Sequence, residues 1–183
     1  MPRKKPRKKR SFVEILGFLA IVLFVVALLW LAFLTSPQSP PQQTTRRSIA
    51  PDFSLTDVDG NSFKLSDQRK KVVVLEFMRT TCSACILQEP YLRELRSKFG
   101  GDVVMAIVSV DPTGDTDSVL RKHRDQNLMG WIAMGDKAQV SEAYSVEFTP
   151  TILIIDKNGY IQYQHVDLTE STILIKEVDG LTE

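Results

Sequence analysis

The chain has two cysteines, Cys82 and Cys85, with Ser83 and Ala84 between them. They follow an apolar, β-branched run, Val72-Val73-Val74-Leu75-Glu76-Phe77-Met78, and open a stretch with helical periodicity. A thiol pair at a strand-to-helix junction suits thiol–disulfide exchange. A cysteine at a helix start faces free backbone N–H groups and the positive end of the helix dipole, which favour thiolate over thiol. Cys82 is therefore expected to be the nucleophile. Cys85, one turn on, lies on the same face and can close a Cys82–Cys85 disulfide with little backbone movement. If exposure decreases from Cys82 to Cys85, then Cys82 attacks a partner disulfide and Cys85 resolves the mixed disulfide.

Two other uses of the pair are open. A purely stabilising disulfide across so short a loop removes only roughly 2 kcal/mol of unfolded-chain entropy, against nearly 5 for a loop of about 100 residues. A metal site needs two further ligands, and the only histidines, His123 and His165, lack metal-site spacing. No metal or cofactor is expected. Glu76 stands out within its apolar strand. A buried charge is costly, so this carboxylate either points to solvent or is kept for a reason.

The elements that must position these residues sit behind a hydrophobic segment. Ile15 to Leu34 reads ILGFLAIVLFVVALLWLAFL, 20 residues without a charge. At 1.5 Å per residue that is roughly 30 Å, the thickness of a bilayer core. Seven of the first ten residues are basic, and Trp30 and Phe33 lie near the far end. Both features fit a signal-anchor helix whose N-terminus stays in the cytoplasm. A cleaved signal peptide is the competing reading. Its apolar core is usually about 7–15 residues, and Thr35-Ser36-Pro37-Gln38 is a poor cleavage site. The expected organisation is a basic cytoplasmic tail (1–11), a transmembrane helix (12–34) in contact with the lipid bilayer, a Pro/Ser/Gln-rich linker (35–48) and one extracytoplasmic domain (49–183). That domain carries 14 Lys/Arg against 21 Asp/Glu, which argues against a nucleic-acid surface. Beyond the cytoplasmic membrane a lone cysteine pair is either a disulfide or a redox couple supplied with electrons.

Within the domain, Phe53-Ser54-Leu55-Thr56 and Phe63-Lys64-Leu65 flank the turn signal Asp59-Gly60-Asn61 and predict a β-hairpin. Val72–Met78, Val103–Val110 and Thr151–Ile155 read as buried strands. Trp131–Ala133 suggests a short strand, and Tyr160 to Val166 a last one. Helices are expected over 82–99, 116–127, 137–144 and from about Thr169. Pro90 should kink or locally break the first, and β-branched Ile173, Ile175 and Val178 weaken the last. Strands alternating with helices indicate an α/β sandwich with a mixed central sheet.

These motifs together resemble the thioredoxin-like superfamily, specifically the membrane-anchored TlpA/ResA-like thiol–disulfide oxidoreductases and redoxins of the AhpC/TSA group. Ala50-Pro51-Asp52-Phe53 with Asp59-Gly60 is similar to their N-terminal hairpin. The segment from Phe77 through Cys85 resembles their active site, and Val146-Glu147-Phe148-Thr149-Pro150-Thr151 resembles their cis-proline loop. The resemblance implies a thioredoxin-like fold with an extra N-terminal β-hairpin. It implies a cis Thr149–Pro150 bond, with Thr149 and Pro150 forming the substrate-docking edge beside Cys82; the alternative is an ordinary trans proline that opens a strand. It also implies that Glu76 is a buried acid that moves protons to and from Cys85. Partners implied are protein thiol or disulfide substrates, for example apocytochrome c, and a membrane or extracytoplasmic thiol electron donor.

The chain departs from the family at several points. Thr81 stands where Trp usually precedes the first cysteine, Ser83-Ala84 replaces a Pro-rich or acidic dipeptide, and Gln88 replaces a frequent glutamate. Two other functions compete. A peroxiredoxin-like peroxidase resembles a Pro-x-x-x-Thr-x-x-Cys pattern, but the corresponding residues here are Leu75 and Arg79. A Sco-like copper-binding assembly factor would fit the segment from Ser109 to Thr116, but uses a CxxxC pair and a ligand histidine, for which His165 is the one sensible choice.

Overall fold

The computed structural model describes residues 17, 19, 21–26, 28, 30, 48–127 and 130–182. The chain divides into two compact units, Met1–Gln42 and Gln43–Glu183. The basic tail and nearly all of the linker lie outside the described residues. So does much of the expected anchor, of which the described positions are helical. Among the described residues no helix is long and apolar enough to cross a membrane.

The second unit is built on a six-stranded sheet in the order β1-β8-β7-β4-β5-β6. The strands are β1 (Ser48–Ile49), β4 (Val72–Met78), β5 (Val103–Ser109), β6 (Ile132–Gly135), β7 (Thr151–Ile155) and β8 (Tyr160–Val166). β4, β5 and β6 run parallel, and β7 and β8 return antiparallel. The predicted hairpin forms a separate two-stranded sheet, β2 (Ser54–Thr56) with β3 (Ser62–Lys64). It joins β6 through Val58 N–H donating to the Ala133 carbonyl at 2.9 Å. Four helices complete the unit: α1 (Ser83–Phe99), α2 (Asp117–Gln126), α3 (Val140–Ala143) and α4 (Ser171–Thr182).

β4 is central, and all seven of its residues are buried. Strand geometry alternates its side chains between faces. Val72, Val74 and Met78 pack with Cys85, Leu92 and Leu95 of α1, Leu120 of α2, and Leu174 and Val178 of α4. Val73, Leu75 and Phe77 pack on the other face against Leu55 and Phe63 of the hairpin, with Val140 and Tyr144. Glu76 shares the parity of Val74 and Met78, so it points into the α1 layer.

Three expectations are corrected. α1 runs unbroken through Pro90, which lies on its exposed side while Gln88, Glu89, Leu92 and Leu95 bury the other. Packing of that face offsets the one backbone hydrogen bond a proline removes. The helix expected over 137–144 is reduced to Val140–Ala143. Gln139 is left-handed (φ +56°), and the Asp136 carboxylate accepts from Val140 N–H at 2.6 Å and Ser141 N–H at 2.9 Å, fixing a late start. Ser48 belongs to the sheet rather than the linker, paired with Ile161. α4 forms despite its β-branched residues because Leu174 and Val178 are fully buried.

Candidate active site

Cys82 is the N-cap of α1. Its backbone is extended, and its Sγ accepts the Cys85 N–H at 3.1 Å. This is the position from which a sulfur faces free helical N–H groups. Ile86 N–H donates to the Cys82 carbonyl at 3.1 Å and starts the helix. Cys85 is wholly buried, Cys82 only partly, and the two are joined as a disulfide with Cα atoms 5.2 Å apart. An attacking group therefore has access to the Cys82 sulfur while Cys85 waits behind it.

The loop before β7 closes over this sulfur. Thr149–Pro150 is cis, and the Thr149 carbonyl oxygen lies 3.5 Å from Cys82 Sγ. Pro150 is buried, and its carbonyl accepts Asp167 N–H at 2.9 Å, tying the loop to the end of β8. A cleft of about 380 Å³ beside it is lined by Arg79, Val110, Ser141, Glu147, Phe148 and Thr149 among others. Ile86 and Leu87 on α1 and Phe148 on the loop are exposed, so apolar surface lies on both segments that flank the Cys82 sulfur. A polypeptide laid along this edge could bury it.

The turn carrying the first cysteine is pinned by a residue whose role was not visible in the sequence. Asp115 is buried. Its carboxylate accepts Thr80 N–H at 2.9 Å, the Thr80 hydroxyl, and the Ser109 hydroxyl at 2.6 Å. Asp115→Ala leaves these donors unpaired and is expected to destabilise the protein by about 2–4 kcal/mol. A lowered urea midpoint with an unchanged slope is the measurement that checks it.

Glu76 is buried in the α1 layer, and its Oε1 has no hydrogen-bond partner. Burial, and secondarily the charge of Glu89, push its carboxyl up to about 8. The solvent-facing alternative is thereby excluded. Glu89, four residues after Cys85, is buried as well. Its carboxylate lies 2.8 Å from His123 Nε2 and 3.6 Å from Arg93 Nη1. The i, i+4 spacing from Cys85 placed Glu89 on the same helix face, a signal that sequence reasoning passed over. Gln88 serves a different purpose. Its side-chain amide donates to the Thr169 carbonyl at 2.8 Å and accepts Thr169 N–H at 2.6 Å. A glutamate could accept but not donate there, so an amide is what this clasp requires.

The residues of the competing patterns are also located. Leu75 is fully buried in mid-strand and Arg79 is exposed at the strand end. His165 lies on β8 opposite Ile152. Among the described residues, no group of three or more His, Cys, Asp or Glu is placed to hold a metal ion.

Comparison with known proteins agrees with this geometry. Residues 47–164 match the AhpC/TSA family. The thiol-disulfide oxidoreductase ResA of Geobacillus kaustophilus is 32% identical over 145 residues, covering 78% of this chain and 82% of the relative. A DsbE-type thiol:disulfide interchange protein of Chlorobium tepidum superposes with a TM-score of 0.66 at 28% identity, over 75% of this chain and 98% of the other. The exposed lipoprotein thioredoxin Etrx1 of Streptococcus pneumoniae does so with a TM-score of 0.62 at 27% identity, over 72% and 100%. The chain thus belongs to the AhpC/TSA family and, within it, to the ResA-like thiol–disulfide oxidoreductases of thioredoxin fold, with Cys82 and Cys85 as its CxxC pair.

Proposed function

We propose that this protein is a membrane-tethered, extracytoplasmic oxidoreductase that reduces disulfides in other proteins. The observation that carries the reading is the layered pair. Cys82 caps α1 within 3.5 Å of the Thr149 carbonyl, and Cys85 is buried behind it in the layer that holds Glu76. In the reduced protein, Cys82 thiolate attacks a substrate disulfide docked along Thr149–Pro150, forming a mixed disulfide and releasing one substrate thiolate. Cys85 then loses its proton to Glu76 and attacks Cys82 Sγ, which releases the second substrate thiolate and closes the Cys82–Cys85 bond. A thiol donor reverses the last step. Cys85 leaves as thiolate, and protonated Glu76 returns the proton.

The tether rests on residues 12–34, apolar and flanked by basic residues on the N-terminal side only. A solved relative that is an exposed lipoprotein is consistent with a domain outside the cytoplasm. In that compartment the pair needs an electron donor that spans or crosses the membrane. Haem-binding cysteines of apocytochrome c are a substrate class of suitable chemistry.

The test is Cys85→Ser expressed in its own membrane. Resolution is blocked, so the account expects partner proteins disulfide-linked to Cys82, and, in the molecules left unlinked, a Cys82 thiol labelled by a membrane-impermeant reagent in intact cells. No trapped partner, or labelling only after lysis, contradicts the reading. Recovery of a c-type cytochrome precursor identifies the substrate class.

A further inference from the structure

Two contacts of the redox site meet on one short segment, residues 167–169, between β8 and α4. At one end Asp167 N–H donates to the Pro150 carbonyl at 2.9 Å, one step past the Thr151–Val166 pair of the β7–β8 ladder. At the other end Thr169 exchanges two hydrogen bonds with the Gln88 amide. Its N–H donates at 2.6 Å and its carbonyl accepts at 2.8 Å. Between these ends the chain leaves the sheet for α1 through a left-handed Asp167 (φ +87°), a conformation uncommon outside glycine. The bend is held locally. Leu168 N–H donates to the Asp167 carboxylate at 2.7 Å, and the Thr169 hydroxyl donates to the Asp167 carbonyl at 3.4 Å.

These contacts close a ring. Cys82 Sγ lies 3.5 Å from the Thr149 carbonyl, and Thr149 is followed by Pro150. Pro150 is hydrogen-bonded to Asp167, and Thr169 to Gln88. Gln88 stands on α1 one turn after Cys85, the disulfide partner of Cys82. The docking edge and the redox helix are therefore joined twice, once at the reactive sulfur and once behind it through 167–169.

We propose that residues 167–169 are a strap that sets the gap between Cys82 and the Thr149–Pro150 edge, with Gln88 as its positioning residue on α1. This rests on that edge docking the substrate polypeptide. A substrate chain laid along Thr149 competes for the contact at the sulfur, whereas the strap holds the two segments in register from behind. Gln88 is wholly buried and follows Cys85 on a helix face completed by Leu92 and Leu95. An amide is costly there unless its donor and acceptor are both bonded. Both are, and both bonds go to main chain, so they fix the path of the strap whatever side chain stands at position 169. Packing alone calls for no amide, because a leucine fills a similar volume without the desolvation cost.

The test separates docking from thiol chemistry. The full-length wild type, Gln88→Leu and Thr169→Ala are compared well below their melting transitions. Gln88→Leu removes both bonds to the strap, and Thr169→Ala removes a hydroxyl but keeps them. One readout is reduction of insulin. The other is alkylation of Cys82 in the dithiol form by iodoacetamide, which needs no docking edge. Gln88→Leu is expected to lower kcat/KM for insulin about tenfold, since small misplacements of docked reactants are costly, while its Cys82 is alkylated within about twofold of the wild-type rate. Thr169→Ala should match wild type in both. An unchanged kcat/KM in folded Gln88→Leu overturns the proposal, as does an alkylation rate that falls in step with insulin reduction. Amide hydrogen exchange in the unmodified protein needs no variant. The Asp167 and Thr169 N–H groups should be protected like the β7–β8 ladder in both the disulfide and dithiol forms, although Asp167 lies at the surface. Rapid exchange at either one overturns the proposal too. Wild type that is alkylated but reduces no insulin would instead overturn the reading on which the strap rests.

Discussion

Replacing Cys82 by serine is expected to abolish disulfide turnover while the fold survives. Serine is among the preferred N-cap residues, so its hydroxyl can take over the Cys85 N–H that Cys82 Sγ accepts at 3.1 Å. The lost crosslink closes a loop of only about four residues, worth roughly 2 kcal/mol of unfolded-chain entropy. What is removed is the one partly exposed sulfur at the docking edge, and a hydroxyl is not ionised near neutral pH and forms no mixed disulfide. Reduction of a protein disulfide such as insulin's, followed with a thiol donor, should fall to the rate of the donor alone. Thermal melting should match that of reduced wild type within a few degrees. Residual turnover well above the donor rate would mean that Cys85 is the attacking group, against its burial.

Glu76→Gln should produce two effects of opposite sign. The first is kinetic. Without this carboxylate the Cys85 proton loses the acceptor that β4 supplies, and the resolving step should slow by about a hundredfold or more, the usual contribution of a positioned general base. The second is thermodynamic. Burial, and then the charge of Glu89, push the folded carboxyl from the ordinary 4.5 up to about 8. Between those values the folded state binds the proton that the unfolded state has released, so folding stability falls as pH rises. The stability associated with the neutral carboxyl is complete below about 4.5 and is lost as pH passes through about 8. The full loss is several kcal/mol, about 5 at most by linkage. Gln cannot ionise, so the variant should match wild type at pH 5 to within about 1–2 kcal/mol and exceed it by several at pH 9. Urea melts of both proteins at the two pH values check this. Parallel pH dependences would show that Glu76 is not the titrating group.

Much of this site was legible in the chain because its signals are local. Seven consecutive residues at Val72–Met78 without a turn former read as a buried strand, and the cysteines that follow sit where α1 begins. Thr149–Pro150 was readable only through family resemblance, since nothing in the spacing of one proline distinguishes cis from trans. The contacts that escaped are those joining distant segments. Asp115 reaches back 35 residues to Thr80, and Gln88 reaches 81 residues forward to Thr169. His123 meets Glu89 across two helices. Such pairings depend on how the helices lie on the sheet, which periodicity does not specify. Pro90 and the short α3 show the complementary case, in which burial of one helix face and a single carboxylate cap outweigh local propensity.

The central claim, that Cys82 attacks and Cys85 resolves, is tested most directly by peptide mass spectrometry of Cys85→Ser and Cys82→Ser after brief exposure to glutathione disulfide. The account predicts a stable glutathione adduct on Cys82 in the first variant and little or none on Cys85 in the second. An adduct forming readily on Cys85, or none on Cys82, would contradict it.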